Sequence, residues 1–458
     1  MSTQFGDLAD APASFVIAGA RMLDPSDGSD GIRDLVVLDG RIAAGSEVPN
    51  GIPRLDGRGL IVAPGLCDLH THLREPGGEG AETIASGTRA AAHGGFTTVC
   101  AMPNTDPPLD EAARVAWVIS LGRGASARVR VIAAATRGRA GETLTEVEDL
   151  AAAGAVAFSD DGAAIPTARL ARTALQGLGP TGLPLIEHAE DPSLAAGTMM
   201  RAGPVATRLG LPGWPPSAEL VIVQRDLALA EETGGRLHLT HLSTAAALDA
   251  VRRAKDRGVR VTCDVTPHHL SMSDAWVAGE RRFTWDEPDD MAGALDAETA
   301  FDGRCRVNPP LANRDDALAL LRGVADGSID AIATDHAPHP PERTLVEFGE
   351  AAPGMIGLET AFSIGLAAVD AGCLTLAALL AALSTRPAAL IGEERGLRPG
   401  AEADLVVFDP AARWRVERGA LVSRSANTPL LGMTLPGVVR LTVAGGRVVF
   451  DEGMGLLV

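Results

Sequence analysis

The chain of 458 residues has no tyrosine, a single lysine (Lys255) and few aromatic residues, which make up 3% of the sequence. It has five widely spaced cysteines and no C-x-x-C pair: Cys67, Cys100, Cys263, Cys305 and Cys373. This spacing argues against a disulfide framework and against a zinc-ribbon site. Free thiols fit a reducing compartment, so we expect a cytoplasmic protein.

Long apolar runs are also missing: no window of about 18 charge-free apolar residues stands out, and the N-terminus lacks a basic, then apolar leader. We therefore expect no membrane association. The formal net charge is −19 and the isoelectric point is near 4.9. Such an acidic chain lacks the basic surface that nucleic acids require. An acidic substrate would have to be held by local cations or by a metal.

Short apolar runs alternate with helical stretches along most of the chain, which is typical of a parallel sheet built from βαβ units. Eight runs are present: Leu60–Leu69, Phe96–Met102, Arg128–Ala135, Ala155–Ser159, Leu183–Ile186, Arg236–Thr240, Arg260–Val265 and Ile329–Thr334. Helical stretches lie between them: Ala81–His93, Ala112–Ile119, Leu170–Leu178, Ala218–Glu232, Ala245–Arg257 and Arg314–Val324. This alternation predicts an α/β fold, a (β/α)8 TIM-like barrel.

The two chain ends read instead as short strands separated by turns. Neither end alone could bury a β face, so we expect both to form one small β-sandwich beside the barrel. The predicted domains are residues 1–58 with 397–458 for the sandwich and 59–396 for the barrel. The acidic segment Trp276–Asp302 interrupts the alternation. A loop of this length is either a lid or a solvated excursion, and we favour the excursion.

Polar residues concentrate where the predicted strands end, which is where TIM-like barrels carry their chemistry. Of the ten histidines, all except His93 lie at or beside a strand end. His70 and His72 are two positions apart, so an extended segment points both toward the barrel axis. Alone, this pair is as compatible with packing as with metal binding. Together with His188, His241 and Asp335 from three other strand ends, it predicts a metal site.

Several residues keep two interpretations. Asp161 could lie between two metals, but Asp160-Asp161-Gly162 is equally a turn sequence. Arg74 could grip a carboxylate in a two-pronged pair, or form a surface ion pair with Glu75. Asn104 and Asn308, each beside a proline, could bind an amide substrate or shape a turn. For three further histidines we favour packing, a supporting hydrogen bond or orientation of a loop: His238, His268 and His269.

Longer motifs resemble class I dihydroorotases of the amidohydrolase superfamily. The resemblance covers nearly the whole chain, and the motifs are DLHTHLREPG from Asp68, MPNT from Met102, FSDDG from Phe158, EHAED from Glu187, THLST from Thr240, VTPHHL from Val265, RVNPPL from Arg306, ATDHAPH from Ala333 and PGMIGLET from Pro353. The chain-end motifs GLRPGAEADLVVFD from Gly396 and SANTPLLG from Ser425 match the superfamily too.

The resemblance implies reversible, zinc-dependent ring closure of N-carbamoyl-L-aspartate to L-dihydroorotate in pyrimidine biosynthesis. It implies two Zn²⁺ ions per subunit, the more buried on His70 and His72 and the second on His188 and His241. Asp161 would bridge them, and Asp335 would serve as ligand and as acid and base. The substrate would contact seven residues: His72, Arg74, Asn104, Asn308, His339, Pro353 and Gly354. Two zinc ions would lower the pKa of a bound water and polarise the amide carbonyl.

Rival interpretations remain inside and outside the family. Hydantoinases, dihydropyrimidinases and allantoinases are related cyclic amidohydrolases, and some relatives bridge their metals with a carboxylated lysine. Lys255 lies on the helix after the sixth run, far from the end of the fourth, so the bridge cannot be lysine. Arg74 favours a substrate that carries a carboxylate. Some dihydroorotase-like chains are inactive partners of aspartate carbamoyltransferase, and we expect a homodimer with this partner as a possibility.

Overall fold

A computed structural model describes residues 4–44, 48–287 and 298–457. Eight parallel strands follow one another in chain order around one sheet. We number them first to eighth: Leu66–Thr71, Phe96–Ala101, Arg128–Ala134, Ala155–Ser159, Leu185–Glu187, Leu237–Leu239, Val261–Val265 and Ala331–Ile332. A parallel bridge between Thr71 and His336 joins the two ends of the sheet. The predicted (β/α)8 barrel is confirmed, and each of the eight predicted runs overlaps a barrel strand.

Helices follow the strands, and their alanine and leucine faces pack on the barrel in one large apolar cluster. Each of the six predicted helical stretches overlaps an observed helix to within one turn at either end. The α-helices in the described parts of the chain are Ile84–His93, Ala112–Leu121, Val147–Ala152, Ala168–Leu178, Pro192–Ala195, Pro204–Leu209, Ser217–Thr233, Ala245–Asp256, Pro267–Ser271, Arg314–Asp326, Pro341–Thr344, Ala361–Asp370, Leu376–Leu380 and Arg386–Leu390.

Both chain ends combine into a second, nine-stranded sheet, as predicted for the β-sandwich. Its strands are Gln4–Phe5, Phe15–Asp24, Ser29–Leu38, Arg41–Ala43, Arg54–Asp56, Ile61–Pro64, Leu405–Arg415, Thr434–Ala444 and Arg447–Asp451. Apolar side chains from both ends of the chain share one cluster, which is distinct from the cluster around the barrel. Two further short strands, Met200–Arg201 and Gly213–Trp214, pair with each other.

The first predicted run, Leu60–Leu69, is two strands. Ile61–Pro64 pairs with Leu405–Arg415 in the terminal sheet, and the first barrel strand begins at Leu66. Gly65 separates them, and a Cβ atom at this position would lie 2.3 Å from the Thr97 side chain. No side chain fits at the point where the chain passes from one sheet to the other, which explains why this residue is glycine. The domain bounds 1–58, 397–458 and 59–396 stay a prediction.

The acidic segment Trp276–Asp302 begins inside the protein rather than in solvent. Trp276 is completely buried, its indole N–H donates to the Arg282 carbonyl, and its ring stacks with that of Phe283. Residues 288–297 of this segment lie outside the described residues. Within the described ranges, no helix is long and apolar enough to cross a bilayer.

A buried ion-pair network holds the barrel against the terminal sheet. Arg395, whose side chain is 2% exposed, contacts Asp404 and the Thr98 hydroxyl of the second strand, and its Nη2 lies 2.7 Å from a Glu393 oxygen. Arg128 of the third strand donates to both oxygens of Asp404, at 2.7 and 2.6 Å. The network therefore links two barrel strands to the residue that precedes Leu405–Arg415.

We expect Arg395→Met to lower the free energy of unfolding by about 2 kcal/mol, because Asp404 and Glu393 lose the buried charged donor that links them. Arg128 and Arg130 still pair with these two carboxylates in the variant. Arg398→Met is the matched control, since Arg398 pairs with Glu394 at the surface with both side chains mostly exposed. Unfolding in urea, followed by tryptophan fluorescence, compares the two. Equal midpoints for both variants would contradict a structural role for the Arg395 network.

Candidate active site

The first barrel strand carries two histidines into the barrel mouth. His70 is the last but one residue of the strand, and His72 follows its end. The His72 N–H donates to the His336 carbonyl at 2.9 Å, which continues the sheet across the closure of the barrel. Both rings are buried, and their centroids lie 5.1 Å apart. The two rings therefore lie together on the inner face of the barrel, as the spacing of His70 and His72 predicts.

Two carboxylates from other strand ends meet these rings. His70 Nε2 lies 3.3 Å from Asp161 Oδ1 and 3.4 Å from Asp335 Oδ1. His72 Nε2 lies 3.0 Å from Asp335 Oδ1 and 3.7 Å from Asp161 Oδ2. The side chains of His70, His72, Asp161 and Asp335 are all nearly inaccessible to solvent. Titratable groups that are distant in the sequence therefore lie together in one buried cluster.

The second histidine pair lies on the other side of Asp161. His188 Nδ1 is 2.9 Å from His241 Nε2, and each of these nitrogens is 3.9 Å from Asp161 Oδ1. Asp161 is therefore placed between the pair His70 and His72 and the pair His188 and His241. The adjacent Asp160 turns away and accepts the backbone N–H of Thr136 at 2.9 Å. Of the two aspartates, Asp161 is the one in the cluster.

Backbone strain accompanies this arrangement. His241 and Asp335 have φ angles of 41° and 47°, and Arg74 has 60°, a region that residues other than glycine rarely adopt. Each of the three lies just beyond a barrel strand. The strained turn at His241 is held by its N–H, which donates to Asp264 Oδ1 at 2.7 Å. Strain of this kind is maintained where side chains must be aimed at one point.

Neighbouring polar groups fix which ring nitrogen of each first-strand histidine stays free. The Thr240 hydroxyl donates to Asp264 Oδ2 at 3.0 Å, so it accepts the proton of His70 Nδ1 at 2.9 Å. His72 Nδ1 donates to Asn104 Oδ1 at 2.8 Å, while Asn104 Nδ2 lies 3.3 Å from Asp161 Oδ2. In both rings Nε2 then keeps its lone pair and points into the cluster.

The electrostatics of the cluster call for a cation. Burial alone would lower the pKa of His70, but the charges of Asp161 and Asp335 outweigh it and raise this pKa to about 10. Burial would raise the pKa of Asp335, yet His70 and His72 hold it below its usual value. Without a metal, a proton on His70 is therefore the cheapest way to balance the two carboxylates.

Unsatisfied atoms point the same way. His70 Nε2 and Asp161 Oδ1 are buried and have no hydrogen-bond partner among the residues that the structure describes. Two ligand sets have all their donor atoms within 4.8 Å of one another, namely His70, His72 and Asp335, and His70, Asp161 and His241. Imidazole nitrogens and carboxylate oxygens are ordinary ligands of zinc and similar ions. The residues present therefore fit a metal centre.

A cavity of about 220 Å³ opens over this cluster. It is lined by all the predicted site residues except His70, which lies beneath them: His72, Arg74, Asn104, Asp161, His188, His241, Asn308, Asp335, His339, Pro353 and Gly354. The structure thus brings together residues from loops that follow seven of the eight barrel strands. Their assignment as metal ligands or substrate contacts stays a prediction.

The polar groups around the cavity are held in place by the backbone. Arg74 Nε donates to the Pro338 carbonyl at 3.2 Å, whereas Glu75 accepts the Ile84 N–H, so the alternative pair of Arg74 with Glu75 is absent from this fully described segment. His339 Nε2 donates to the Pro353 carbonyl at 3.0 Å. Gly354, with φ of 131°, packs where a Cβ would lie 2.6 Å from that of Ala337.

The remaining histidines support the site from outside. His238 Nε2 donates to Asp264 Oδ2 at 2.8 Å, so it acts through the aspartate that orients Thr240 and His241. His269 Nε2 donates to the Pro309 carbonyl at 2.9 Å and thereby fixes the loop that carries Asn308. His268 Nε2 is buried without a partner. Sequence reasoning missed Arg343, which lines the cavity and carries no motif that would have singled it out.

Comparison with known proteins identifies the family. Residues 59–247 match a family described as "Dihydro-orotase-like", and residues 366–450 match "Amidohydrolase family". Proteins named Dihydroorotase from Anaeromyxobacter sp. (strain K) and Pelotomaculum thermopropionicum are 47% and 45% identical to this chain, over 95% of it and 98% of each relative. The chain belongs to the dihydroorotase family.

The fold of this dihydroorotase family member is shared by enzymes with other names. L-hydantoinase from Arthrobacter aurescens superposes with a TM-score of 0.82 over 96% of this chain and 97% of its own, at 23% identity. At this level of identity the likeness concerns the fold alone. The sequence relatives named Dihydroorotase agree with the resemblance predicted from the motifs, and the hydantoinase alternative fits less well.

We expect Thr240→Val to weaken metal binding by about 10–100-fold, because His70 loses the partner that holds its Nε2 toward the cluster. Thr145→Val is a control of similar burial, since the Thr145 hydroxyl donates only to the backbone carbonyls of Ala134 and Ala135. Titration of metal-depleted protein with zinc, followed by calorimetry, gives the two affinities. Unchanged affinity in Thr240→Val would contradict the tautomer assigned to His70.

Proposed function

We infer that this chain is a dihydroorotase, which interconverts N-carbamoyl-L-aspartate and L-dihydroorotate. The observation that carries the inference is the presence of Arg74 in the same cavity as the buried histidine and carboxylate cluster. A cluster suited to metal-assisted hydrolysis accounts for cyclic amide chemistry in general. A guanidinium beside it accounts for a substrate that also carries a carboxylate.

The proposed ligands are His70 and His72 for one zinc ion, His188 and His241 for a second, with Asp161 between them and Asp335 beside the first. The bound ions would supply a water of lowered pKa and polarise the scissile carbonyl. Metal dependence is characteristic of the amidohydrolase family, to which residues 366–450 are matched. Zinc as the metal, and two ions per chain, are our proposals, and elemental analysis of the purified protein tests both.

Asp335 is the proposed acid and base. Its carboxyl group is anionic at neutral pH, since the neighbouring imidazoles keep its pKa below the usual value despite burial. It would take the proton of the attacking water when the ring opens and deliver it to the amide nitrogen that leaves. Closure of the ring reverses these transfers. A positioned carboxylate contributes about 10²–10⁴-fold to such a reaction.

The other cavity residues would bind and orient the substrate. Arg74 would pair with the carboxylate that both compounds share. Asn104 and Asn308 would offer amide hydrogen bonds to the ring or the ureido group, and His339, Pro353 and Gly354 would close the opposite wall. His339 is neutral at pH 7, because burial and the charge of Arg74 lower its pKa to about 4. Its single ring N–H is donated to the Pro353 carbonyl, so the ring can offer the substrate an acceptor at Nδ1 without adding a charge.

We propose Asp161, and not a modified lysine, as the bridging group. Lys255 Nζ lies 2.6 Å from Asp330 Oδ2 and 2.8 Å from the Ser328 carbonyl, just before the eighth strand begins. The mouth of the barrel is at the other end of that strand. We expect Asp161→Ala to lose metal and activity together, while Lys255→Arg keeps both. Loss on changing Lys255, with no effect at Asp161, would reverse the assignment.

Arg74 provides a test of substrate class. We expect Arg74→Met to lower kcat/KM for dihydroorotate strongly, because an unpaired carboxylate in a closed site costs about 2–5 kcal/mol. Any weak activity on dihydrouracil, which lacks that carboxylate, should change little. Lysine at this position should recover part of the loss, as a point charge without the planar fork. Equal losses on both compounds would assign Arg74 to the metal site or to the fold.

Localisation and assembly are two further proposals. We propose a cytoplasmic enzyme that works as a homodimer, alone or with aspartate carbamoyltransferase, and light scattering of the purified chain with and without that protein tests the assembly. An inactive partner role is the alternative. The complete set of ligands in one cluster favours catalysis over it, and turnover of either compound by the isolated chain would exclude it.

A further inference from the structure

A second arginine, Arg343, lies at the rim of the substrate cavity. It belongs to the short helix Pro341–Thr344, which begins two residues after His339. The Arg343 N–H donates to the Pro340 carbonyl at 2.9 Å, and its own carbonyl accepts the Ala352 N–H at 2.7 Å. Ala352 lines the same cavity. The backbone of Arg343 is therefore tied to the cavity wall from both sides.

The guanidinium of Arg343 has no counter-ion in the described parts of the chain. The side chain is exposed, and no hydrogen bond or ion pair joins it to any residue of 4–44, 48–287 or 298–457. By contrast, the guanidinium of Arg306 donates hydrogen bonds to the carbonyls of residues 348, 349 and 351. In a chain of net charge −19, an unpaired cation at a cavity rim creates a local positive potential.

Exposed carboxylates lie in the same segment as Arg343, at Glu342, Glu347 and Glu350, but none of these three lines the cavity. Arg74 and Arg343 line the same cavity, so their guanidinium groups are within electrostatic reach of each other. Burial and the charge of Arg343 both lower the pKa of Arg74, whereas Asp335 and Asp161 oppose that shift. His339 is neutral at pH 7. Asp161 and Asp335 lie at the base of the cavity among the imidazoles and the proposed metals. Arg74 and Arg343 are the two arginines that line it.

We propose that Arg343 is a specificity-determining residue that attracts ligands in proportion to their negative charge. The inference rests on the proposed function. N-carbamoyl-L-aspartate carries two carboxylates and L-dihydroorotate one, and Arg74 takes the carboxylate that they share. Arg343 acts at longer range on the total charge, so it favours capture of the open-ring dianion over the ring. It gives this acidic protein affinity for a dianion that its overall field repels.

The test compares Arg343→Gln, Arg343→Lys and wild type in both directions of the reaction, at ionic strengths of about 0.01 M and 0.5 M. Arg253→Gln is the charge-matched control, because Arg253 is exposed in the last turn of Ala245–Asp256, at the end of the barrel away from the mouth. The readouts are kcat and KM for each compound. Screening shortens the reach of a surface charge from about 30 Å to a few ångströms over this range of salt.

We expect Arg343→Gln to raise KM for carbamoyl aspartate about fivefold at low salt and for dihydroorotate about twofold, with kcat within twofold of wild type. At high salt both differences should fall to less than about 1.5-fold. Arg343→Lys should behave like wild type, since long-range attraction needs the charge and not the fork. Arg253→Gln should behave like wild type at both salt concentrations.

Three results would overturn the proposal: a rise in KM that does not depend on salt, an equal rise in KM for both compounds, or a Lys variant whose KM values rise as far as those of the Gln variant. Each would assign Arg343 to the shape of the rim instead. The measurements on the wild-type protein test the proposed function separately. Wild type that turns over neither compound contradicts the proposed function and this proposal with it. Wild type that turns over both, with Arg343→Gln matching Arg253→Gln, contradicts this proposal alone.

Discussion

Two carboxylates, Asp161 and Asp335, are buried at the mouth of the barrel within 4 Å of imidazole nitrogens from three strand ends. Water cannot solvate their charge there, and an uncompensated buried charge is among the most expensive features that a fold can contain. Cations must therefore be supplied from within. A proton on His70 satisfies part of this need, and bound metal satisfies it better because the free Nε2 and Oδ1 atoms are already aimed at one point.

Much of the surrounding structure serves to hold these groups in place. Asp68 accepts the N–H groups of His70 and Thr334, at 3.1 and 2.9 Å, and so ties the first strand to the eighth where the barrel closes. Asp264 accepts the backbone N–H of His241 at 2.7 Å and the side-chain hydroxyl of Thr240 at 3.0 Å. We assign no step of the reaction to Asp68 or Asp264. Their hydrogen bonds hold the turns that present the proposed ligands.

Charge on a larger scale frames the same site. The chain is strongly acidic, yet its proposed substrates are anions. The fold resolves this conflict locally, with Arg74 half-buried against the Pro338 carbonyl and Arg343 at the rim. His339 adds a polar group but no charge to the cavity, because burial and the charge of Arg74 lower its pKa to about 4. Arg74 and Arg343 thus give the cavity cationic groups in a chain whose net charge is strongly negative.

The sequence by itself determined the barrel, the terminal sheet and most of the site, because period, strand-end position and motif are local properties. It predicted that His70 and His72 share a face, and that His188, His241 and Asp335 join them from three other strand ends. Three matters were left to the tertiary structure. Asp160 and Asp161 are adjacent and alike, and only the turn after the fourth strand decided that one caps Thr136 while the other enters the cluster. The run Leu60–Leu69 reads as one strand, but strand pairing across hundreds of residues divided it at Gly65. Arg343 resembles any surface arginine in sequence, since its importance lies in the absence of a partner, and partners are set by the folding of distant segments onto one another.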